Sequence, residues 1–178
     1  MKKNEYFSNV PTGENTPEDI YAIIEIPANT YPVKYEINKE TGHIFVDRFI
    51  PTTLLYPCNY GYINNTLSHD GDPLDVLVHT PYPLYPGTII RCKPIGMLDM
   101  TDESGKDVKI LAVPHETLST QYNKITDINL FPKFIKTQIS YFFKHYKDLE
   151  KKKWVKINSW KNSKIAKEEI INSLILHK

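Results

Sequence analysis

Cysteine is scarce in this chain, and the two cysteines form no recognisable pattern. Cys58 and Cys92 stand in neither a CxxC pair nor a zinc-ligand spacing. The start of the chain, Met1-Lys2-Lys3-Asn4-Glu5, has no apolar segment behind it and does not resemble a secretory signal. We therefore expect a cytoplasmic protein whose two thiols are reduced and contribute to packing.

Long apolar runs and an excess of one charge are also absent. No run approaches the roughly 18 apolar residues of a membrane-spanning helix. The net charge is +1, so no overall field favours a nucleic acid or a membrane surface as partner. Because 178 residues suffice for one hydrophobic core, we expect residues 1–178 to form a single domain.

What the chain does contain is a concentrated acidic turn, Asp70-Gly71-Asp72-Pro73-Leu74-Asp75. Carboxylates this close raise each other's pKa unless a cation lies among them, and their oxygens suit Mg²⁺, Mn²⁺ or Ca²⁺. Each residue singly fits an ordinary solvated turn, and the spacing does not match an EF-hand. Three carboxylates directly before the apolar Val76-Leu77-Val78 favour a hard-metal site.

Six segments rich in β-branched and aromatic residues predict strands. A polar, glycine-containing stretch, 101–106, predicts a turn between the last two of them. Short strands at this spacing indicate a small antiparallel barrel. The predicted strands are 20–26, 33–37, 44–49, 76–79, 89–97 and 108–113.

The last third of the chain changes to a helical period. One amphipathic helix is predicted there, with Pro132 in its first turn. A second helix follows, with Asn162 or Ser163 as its cap. The apolar positions are Leu130, Phe134, Ile135, Ile139, Phe142, Phe143 and Tyr146 in the first helix, and Ile165, Ile170, Ile171 and Leu174 in the second. The predicted fold is mainly β (α+β), a barrel with helices packed on its outside.

Some charges fall on strand faces that are otherwise apolar. Arg48 shares parity with Ile44 and Val46, while Glu25, Asp107 and Lys109 have similar apolar neighbours on their strands. A strand-end salt bridge explains each one singly. Together with the acidic turn they describe a site for a densely charged phosphate compound.

The acidic turn, with the following Val76, resembles in full the signature of the soluble family I inorganic pyrophosphatases of bacterial type. Further motifs match that family in collinear order, from about residue 10 to the end of the chain. They are Ile24-Glu25-Ile26-Pro27, Lys34-Tyr35-Glu36, Phe45-Val46-Asp47-Arg48-Phe49, Tyr56-Pro57-Cys58-Asn59-Tyr60-Gly61-Tyr62, Asp102-Glu103, Asp107, Lys109 and His145-Tyr146-Lys147-Asp148-Leu149-Glu150.

The resemblance implies an OB-like five-stranded barrel flanked by two C-terminal helices. It implies hydrolysis of inorganic pyrophosphate to two orthophosphates by an inorganic diphosphatase that uses several Mg²⁺ ions per subunit. Mn²⁺ or Zn²⁺ would substitute for Mg²⁺, and Ca²⁺ would inhibit. The expected assembly is a homohexamer, with no nucleic-acid or membrane partner.

The resemblance also implies a role for each residue of its motifs. Asp70, Asp75 and Asp107 would bind the tightest metal, with Asp75 bridging to a second ion. Asp102 and Asp107 would hold an ion that arrives with substrate, and Glu25, helped by Glu36, a fourth. Asp72 would take the proton from the attacking water. Phosphate oxygens would be held by Lys34, Arg48, Tyr60, Tyr146 and Lys147, with Lys109, Glu103 and Tyr56 in support.

Departures from the family pattern lie outside these motifs. Tyr141, with Lys144 nearby, stands on the first helix where many bacterial members carry His. That helix contributes to subunit contacts in the family's hexamers, so the departure bears on hexamer stability. Residues 1–9 form an N-terminal extension that the resemblance does not explain and that we expect to be flexible.

Two other functions remain as alternatives at this point. A non-catalytic OB-type module would bind single-stranded nucleic acid through tyrosines and lysine clusters. A structural Ca²⁺-binding domain would use the acidic turn but leave Lys34, Arg48 and Lys147 without a role. The near-zero net charge and the acidic cluster argue against the first alternative.

Overall fold

The structure, a computed structural model, describes residues 6–7 and 9–177, with side chains as far as residue 174. The predicted N-terminal extension therefore lies mostly outside the described residues. The strands are β1 Ile20–Ile26, β2 Val33–Ile37, β3 Ile44–Phe49, β4 Asn59–Ile63, β5 Asp75–Val78, β6 Ile89–Asp102, β7 Gly105–Pro114 and β8 Val155–Asn162. The helices are α1 Lys133–His145 and α2 Ser163–His177, and two short 3₁₀ turns, Thr120–Tyr122 and Ile128–Leu130, precede α1.

Five of the strands close into a ring. β1, β4, β5, β7 and β6 pair in that order, and β6 pairs back onto β1. The pairs are antiparallel except for the parallel pair β5–β7. β8 extends the sheet from β6, and β2 and β3 form a separate hairpin. This confirms the five-stranded, OB-like barrel with two C-terminal helices.

The sequence pattern did not predict β4 and β8. β4 contains Gly61, where a Cβ atom would lie only 1.9 Å from the Ile23 carbonyl oxygen, so glycine is needed for β1 and β4 to pair. β8 follows the lysine run 151–153, and five of its eight residues are polar. A pattern this polar is typical of a solvated loop, and the pairing with β6 makes it a strand.

Helix α1 confirms the predicted amphipathic helix, with Ile139, Phe142 and Phe143 buried. Two positions assigned to its apolar face are exposed instead, since Leu130 and Phe134 are 58% and 72% accessible. Leu130 lies in the 3₁₀ turn before the helix, so the helical spacing does not apply to it. Pro132, expected in the first turn, is at the N-cap position.

Helix α2 begins where the sequence indicated. The side-chain oxygen Oδ1 of Asn162 accepts a hydrogen bond from the backbone N–H of Ile165 at 3.1 Å. This makes Asn162 the cap of the helix. No helix among the described residues has the length and hydropathy that a membrane crossing requires.

Alternate residues of the ring strands contribute to two different cores. Val76 and Ile110 belong to a core that draws on all five ring strands and fills the barrel, closed by Ala166 of α2. Leu77 and Leu111 point the opposite way, into a core that α1 covers. Residues Asp75, Asp107 and Lys109 share the parity of Leu77 and Leu111, so they lie on the outer face of the barrel.

Strand β3 of the β2–β3 hairpin is largely exposed, whereas Tyr35 of β2 packs against the core that α1 covers. Ile44 and Val46 are 45% and 52% exposed, so the apolar face predicted to carry Arg48 is not buried. Beside the turn of the hairpin, Ile37 packs with Phe7 and Ile23 in a third, small cluster. β3 therefore has little apolar packing of its own to fix its charged side chains.

Both cysteines are free and buried, in agreement with a packing role. Cys58 lies in the core that α1 covers, and Cys92 lies in the core that fills the barrel. Burial raises the pKa of the Cys58 thiol to about 12. A thiol with such a pKa is not a nucleophile at neutral pH.

Candidate active site

One cleft of about 270 Å³ on the outer face of the barrel brings all the predicted site residues together. Its walls come from β1, the β2–β3 hairpin, β4, the acidic turn, the β6–β7 hairpin and the segment after α1. The predicted residues that line it are Glu25, Lys34, Glu36, Arg48, Tyr56, Tyr60, Asp70, Asp72, Asp75, Asp102, Glu103, Asp107, Lys109, Tyr146 and Lys147.

The acidic turn holds two carboxylates at the edge of the cleft. Gly71 has φ of +91°, a conformation that favours glycine. The backbone N–H of Ser68 donates to the carbonyl of Asp72 at 2.7 Å, and that of Asp72 donates to Oδ1 of Asp70 at 3.1 Å. Leu74, fully buried, anchors the turn. Asp70 and Asp72 therefore remain exposed to solvent beside the cleft.

Lys109 occupies the centre of the site. The parallel register of β5 and β7 sets it opposite Asp75, and Asp107 lies two residues before it on the same face. Its Nζ donates to the carboxylate of Asp75 and to Oδ1 of Asp107, the latter at 2.5 Å. Burial disfavours the charge on Lys109, but the two carboxylates raise its pKa above the ordinary value. Burial raises the pKa of Asp107, and Lys109 opposes that shift.

A second buried lysine holds the tip of the β6–β7 hairpin. Nζ of Lys147 donates to Oδ2 of Asp102 at 2.7 Å and to Oε1 of Glu103 at 3.2 Å. The backbone N–H of Ser104 also donates to Asp102, at 2.8 Å. Burial opposes ionisation of Asp102, but the bond from Lys147 lowers its pKa below the usual value.

Glu25 sits at an irregularity in β1, where the register with β4 shifts between Ile24 and Ile26. Such bulges re-aim side chains. Glu25 is buried, and its Oε1 accepts a hydrogen bond from the backbone N–H of Ile37 at 2.9 Å. Burial raises its pKa to about 7, against the effect of that hydrogen bond.

A chain of ion pairs runs along the hairpin rim of the cleft. Nζ of Lys34 lies 2.5 Å from Glu36 and 3.4 Å from Asp47. Asp47 accepts from Nη1 of Arg48 at 2.8 Å, and Nε of Arg48 donates to Glu150 at 3.1 Å. Opposite charges therefore alternate from β2 to the segment after α1.

Three tyrosines form the floor of the cleft. Burial raises the pKa of the hydroxyls of Tyr56, Tyr60 and Tyr146, so all three are protonated hydrogen-bond donors at neutral pH. Nζ of Lys109 lies 5.7 Å from the centroid of the Tyr60 ring, and Nζ of Lys147 lies 5.6 Å from that of Tyr146. These contacts place cations over aromatic faces.

Comparison with known proteins identifies the family. The sequence model of the inorganic pyrophosphatase family matches residues 22–177. The chain is 62% identical to the inorganic pyrophosphatase of Escherichia coli K12 over 165 residues, which span 93% of this chain and 94% of the relative. A Coxiella burnetii inorganic pyrophosphatase structure superposes with a TM-score of 0.92 at 46% identity, covering 95% of this chain and all of the other. The structure from Thermus thermophilus gives a TM-score of 0.89 at 40% identity, covering 94% and 95%.

The chain belongs to the inorganic pyrophosphatase family. This confirms the resemblance and the enzyme class, an inorganic diphosphatase that hydrolyses pyrophosphate. It decides against the two alternatives, the non-catalytic nucleic-acid-binding module and the structural Ca²⁺ domain. The family is metal-dependent in general.

The pyrophosphatase cleft contains residues that sequence reasoning did not assign. Lys39, Tyr62 and Lys153 line it, and Asp47 and Glu150 contact Arg48. Asp47 and Glu150 stand inside motifs that resemble the family, so the motifs carried a signal for them. Lys153 belongs to the lysine run 151–153 that follows α1, and it stands in none of the motifs.

The donor chemistry of the cleft fits a hard divalent cation. Carboxylates from eight residues line it, outnumbering the six lysine and arginine side chains, and no His or Cys is among the described lining residues. The geometry is not that of a closed metal cage. Within the described part of the chain, no three His, Cys, Asp or Glu side chains converge enough to hold an ion, and Lys109 lies between Asp75 and Asp107.

Proposed function

We propose that this pyrophosphatase acts by direct in-line attack of a water molecule on pyrophosphate, with Asp72 as the general base. The observation that carries the proposal is the convergence of the fifteen residues named by the motifs on one cleft. Carboxylates, cations and tyrosine hydroxyls are thereby brought within reach of one small, densely charged substrate.

Different carboxylates of the cleft are assigned to different metal ions. Asp70, Asp75 and Asp107 would hold the tightest ion, and Asp75 would also serve a second. Asp102 and Asp107 would hold an ion that enters with the substrate, and Glu25 with Glu36 would serve a further one. Mg²⁺ bound there would lower the pKa of water and neutralise charge on the substrate. Mn²⁺ or Zn²⁺ would substitute, whereas Ca²⁺, with its larger and less rigid coordination, would inhibit.

Asp72 is suited to receive the proton of the attacking water. It is exposed beside the cleft, and among the ion pairs of the described residues none engages its carboxylate. Asp70 and Asp75 flank it in sequence and take the metal-binding role instead. A carboxylate that is positioned but not held by a cation can accept a proton during the reaction.

The cations and hydroxyls stabilise the phosphate groups. Lys34, Arg48 and Lys147 neutralise phosphate charge, and Tyr60 and Tyr146 donate hydrogen bonds to phosphate oxygens. In the chemical step the water oxygen forms a bond to one phosphorus while the bridging P–O bond breaks. The bridging oxygen leaves with the second phosphate, whose added charge these residues offset. No covalent intermediate on a side chain is required.

The enzyme is proposed to be a cytoplasmic homohexamer. The support for assembly is a set of exposed apolar side chains on α1 and beside it, Leu55, Phe134, Tyr141 and Leu149, which are 44%, 72%, 56% and 73% exposed. Apolar surface of this kind is typical of an interface. Analytical ultracentrifugation of the full chain should give a mass six times that of one subunit. A monomeric mass at micromolar concentration would contradict the assembly.

Phosphate release from pyrophosphate tests the function directly. The rate should be high with Mg²⁺, and low both with EDTA and when Ca²⁺ replaces Mg²⁺. Activity in EDTA equal to that in Mg²⁺ would remove the metals from the proposal. Comparable rates with Ca²⁺ would remove its assignment as an inhibitor.

A further inference from the structure

Glu150 contacts the site from outside the cleft. Its Oε2 accepts from Nε of Arg48 at 3.1 Å, and its Oε1 lies 3.5 Å from Nη2 of the same guanidinium. Nζ of Lys153 lies 3.1 Å from Oε2. The Glu150 side chain is only 11% exposed, against 29% for Arg48. Glu150 is therefore a well-shielded carboxylate that faces one edge of the guanidinium.

The opposite side of that guanidinium is held by Asp47, through Nη1 at 2.8 Å. A guanidinium has five N–H donors in one plane. Asp47 and Glu150 engage three of them, and two remain on the terminal nitrogens. A planar group held from two sides presents its remaining donors in a fixed direction.

The fold of the hairpin explains why Arg48 needs this support. Arg48 lies on β3, where the neighbouring Val46 and Phe49 are 52% and 76% exposed. Apolar packing therefore does little to hold β3. Glu150 comes from a different part of the chain, the segment after α1, which the buried Tyr146 and Lys147 attach to the barrel. The Arg48–Glu150 pair joins the exposed strand β3 to that anchored segment.

We propose that Glu150 is a positioning residue for pyrophosphate hydrolysis, holding the Arg48 guanidinium so that its two remaining donors face a substrate phosphate. The inference rests on the proposed function, in which Arg48 binds pyrophosphate. Glu150 itself would touch neither substrate nor metal. Its effect on the reaction would pass through Arg48.

The test is a double-mutant cycle on the full-length enzyme with Mg²⁺ present. Glu150→Gln, which keeps the shape and removes the charge, should raise the KM for pyrophosphate by about tenfold, because a charge-assisted pair that orients Arg48 is lost. The fall in kcat should be smaller than the rise in KM. Glu150→Asp, which keeps the charge with a shorter reach, should give an intermediate KM.

A matched control is available on α2. Glu169 is 15% exposed and its carboxylate is paired with one cation, Lys106, at 3.0 Å, yet it does not line the cleft. Glu169→Gln should leave KM unchanged. Thermal melting of each variant shows whether a change in KM reflects loss of folded protein.

The decisive comparison is Glu150→Gln in an Arg48→Ala background. If Glu150 acts through Arg48, the second substitution should leave the KM of Arg48→Ala unchanged. An equal effect of Glu150→Gln in both backgrounds, or none in the wild type, would overturn the inference while leaving Arg48 in its role. A normal KM for Arg48→Ala would remove Arg48 from substrate binding, and the inference with it.

Discussion

The two faces of β7 differ in chemistry. Val108, Ile110 and Ala112 face the barrel core and are at most 3% exposed. Asp107 and Lys109, which alternate with Val108 and Ile110 along the strand, face the cleft. β5 repeats the arrangement, since Asp75 lies on the cleft side and Val76 on the core side. One strand therefore contributes stability from one face and the reactive site from the other.

The core face and the cleft face have opposite effects on the free energy of folding. Burying the apolar face stabilises the fold, by about 25 cal/mol for each Å² removed from water. Gathering like charges on the other face opposes folding, and lysines and metals offset that repulsion. Substitutions on the core face should thus change stability with little effect on turnover, and substitutions of exposed cleft carboxylates such as Asp72 should do the reverse.

The largest effect is expected on the cleft side, at the general base. Asp72→Asn should lower turnover by about 10²–10⁴-fold, because the amide cannot accept the proton of the attacking water. Its melting temperature should stay near that of the wild type. Steady-state phosphate release measures the turnover and calorimetry measures the melting temperature.

Asp99→Asn is the control, since Asp99 pairs with Lys161 outside the cleft. A nearly normal rate for Asp72→Asn would remove Asp72 from its role.

On the core side, Ile110→Ala should destabilise the fold by roughly 2–5 kcal/mol through lost burial and a cavity inside the barrel. Ile110→Val should cost only about 0.5–1.5 kcal/mol. Denaturant unfolding gives both values. Turnover per folded molecule, measured well below the melting transition, should match the wild type. A large fall in kcat without loss of stability would show that the two faces are not separable.

Lys109 sharpens the comparison because it lies on the cleft face yet is only 4% exposed. Lys109→Met should lower stability in EDTA by roughly 1–3 kcal/mol, since Asp75 and Asp107 then lack their cation. Mg²⁺ should stabilise this variant more than the wild type. Lys106→Met, on the same strand with an exposed pair to Glu169, should have little effect. Higher stability of Lys109→Met in EDTA would contradict the idea that this face opposes folding.

The smallest effect concerns an ion pair far from both faces. Asp19 accepts from the backbone N–H groups of Glu14 and Asn15 and from Arg91. Burial opposes its ionisation, but Arg91 and these N–H groups lower the pKa of Asp19 below the usual value. Its contribution is therefore fully present above the unfolded pKa of about 3.9 and is lost as pH falls through the lower folded value.

Asp19→Asn should accordingly reduce the loss of stability between about pH 6 and pH 2.5 by about 1 kcal/mol or less. Urea unfolding of both proteins across that range measures the difference. Glu18→Gln, whose exposed carboxylate pairs with Lys167, serves as the control. An identical pH dependence for Asp19→Asn and the wild type would mean that the pair contributes nothing to acid stability.

Much of the fold could be predicted because local patterns determine it. The β-branched segments gave six strands, and the period of Ile139, Phe142 and Phe143 gave α1. The ring closure, by contrast, depends on pairing between β1 and β6, which are distant in sequence and leave no local pattern. β4 escaped prediction because Gly61 weakens the strand pattern while allowing close pairing with Ile23.

For the site, too, one part could be predicted from the sequence and the other depends on contacts made in the folded chain. The residues of the motifs meet in one cleft, and their resemblance to a family supplied roles that spacing alone could not. The ion-pair chain through Asp47, Arg48 and Glu150 could not be predicted, because its members come from distant segments and their contact depends on the folded hairpin. Nor does the sequence show that Lys109, rather than solvent, separates Asp75 from Asp107.

The most direct test of the account is the Mg²⁺ dependence of thermal unfolding in the wild type. If the carboxylates on the outer face form the metal site, Mg²⁺ should raise the melting temperature progressively, with a stabilisation of about 2.7 kcal/mol at a concentration 100 times the dissociation constant. The concentration range should coincide with that in which Mg²⁺ activates phosphate release. A melting curve unchanged from EDTA to millimolar Mg²⁺ would contradict the assignment of Asp70, Asp75 and Asp107 as metal ligands.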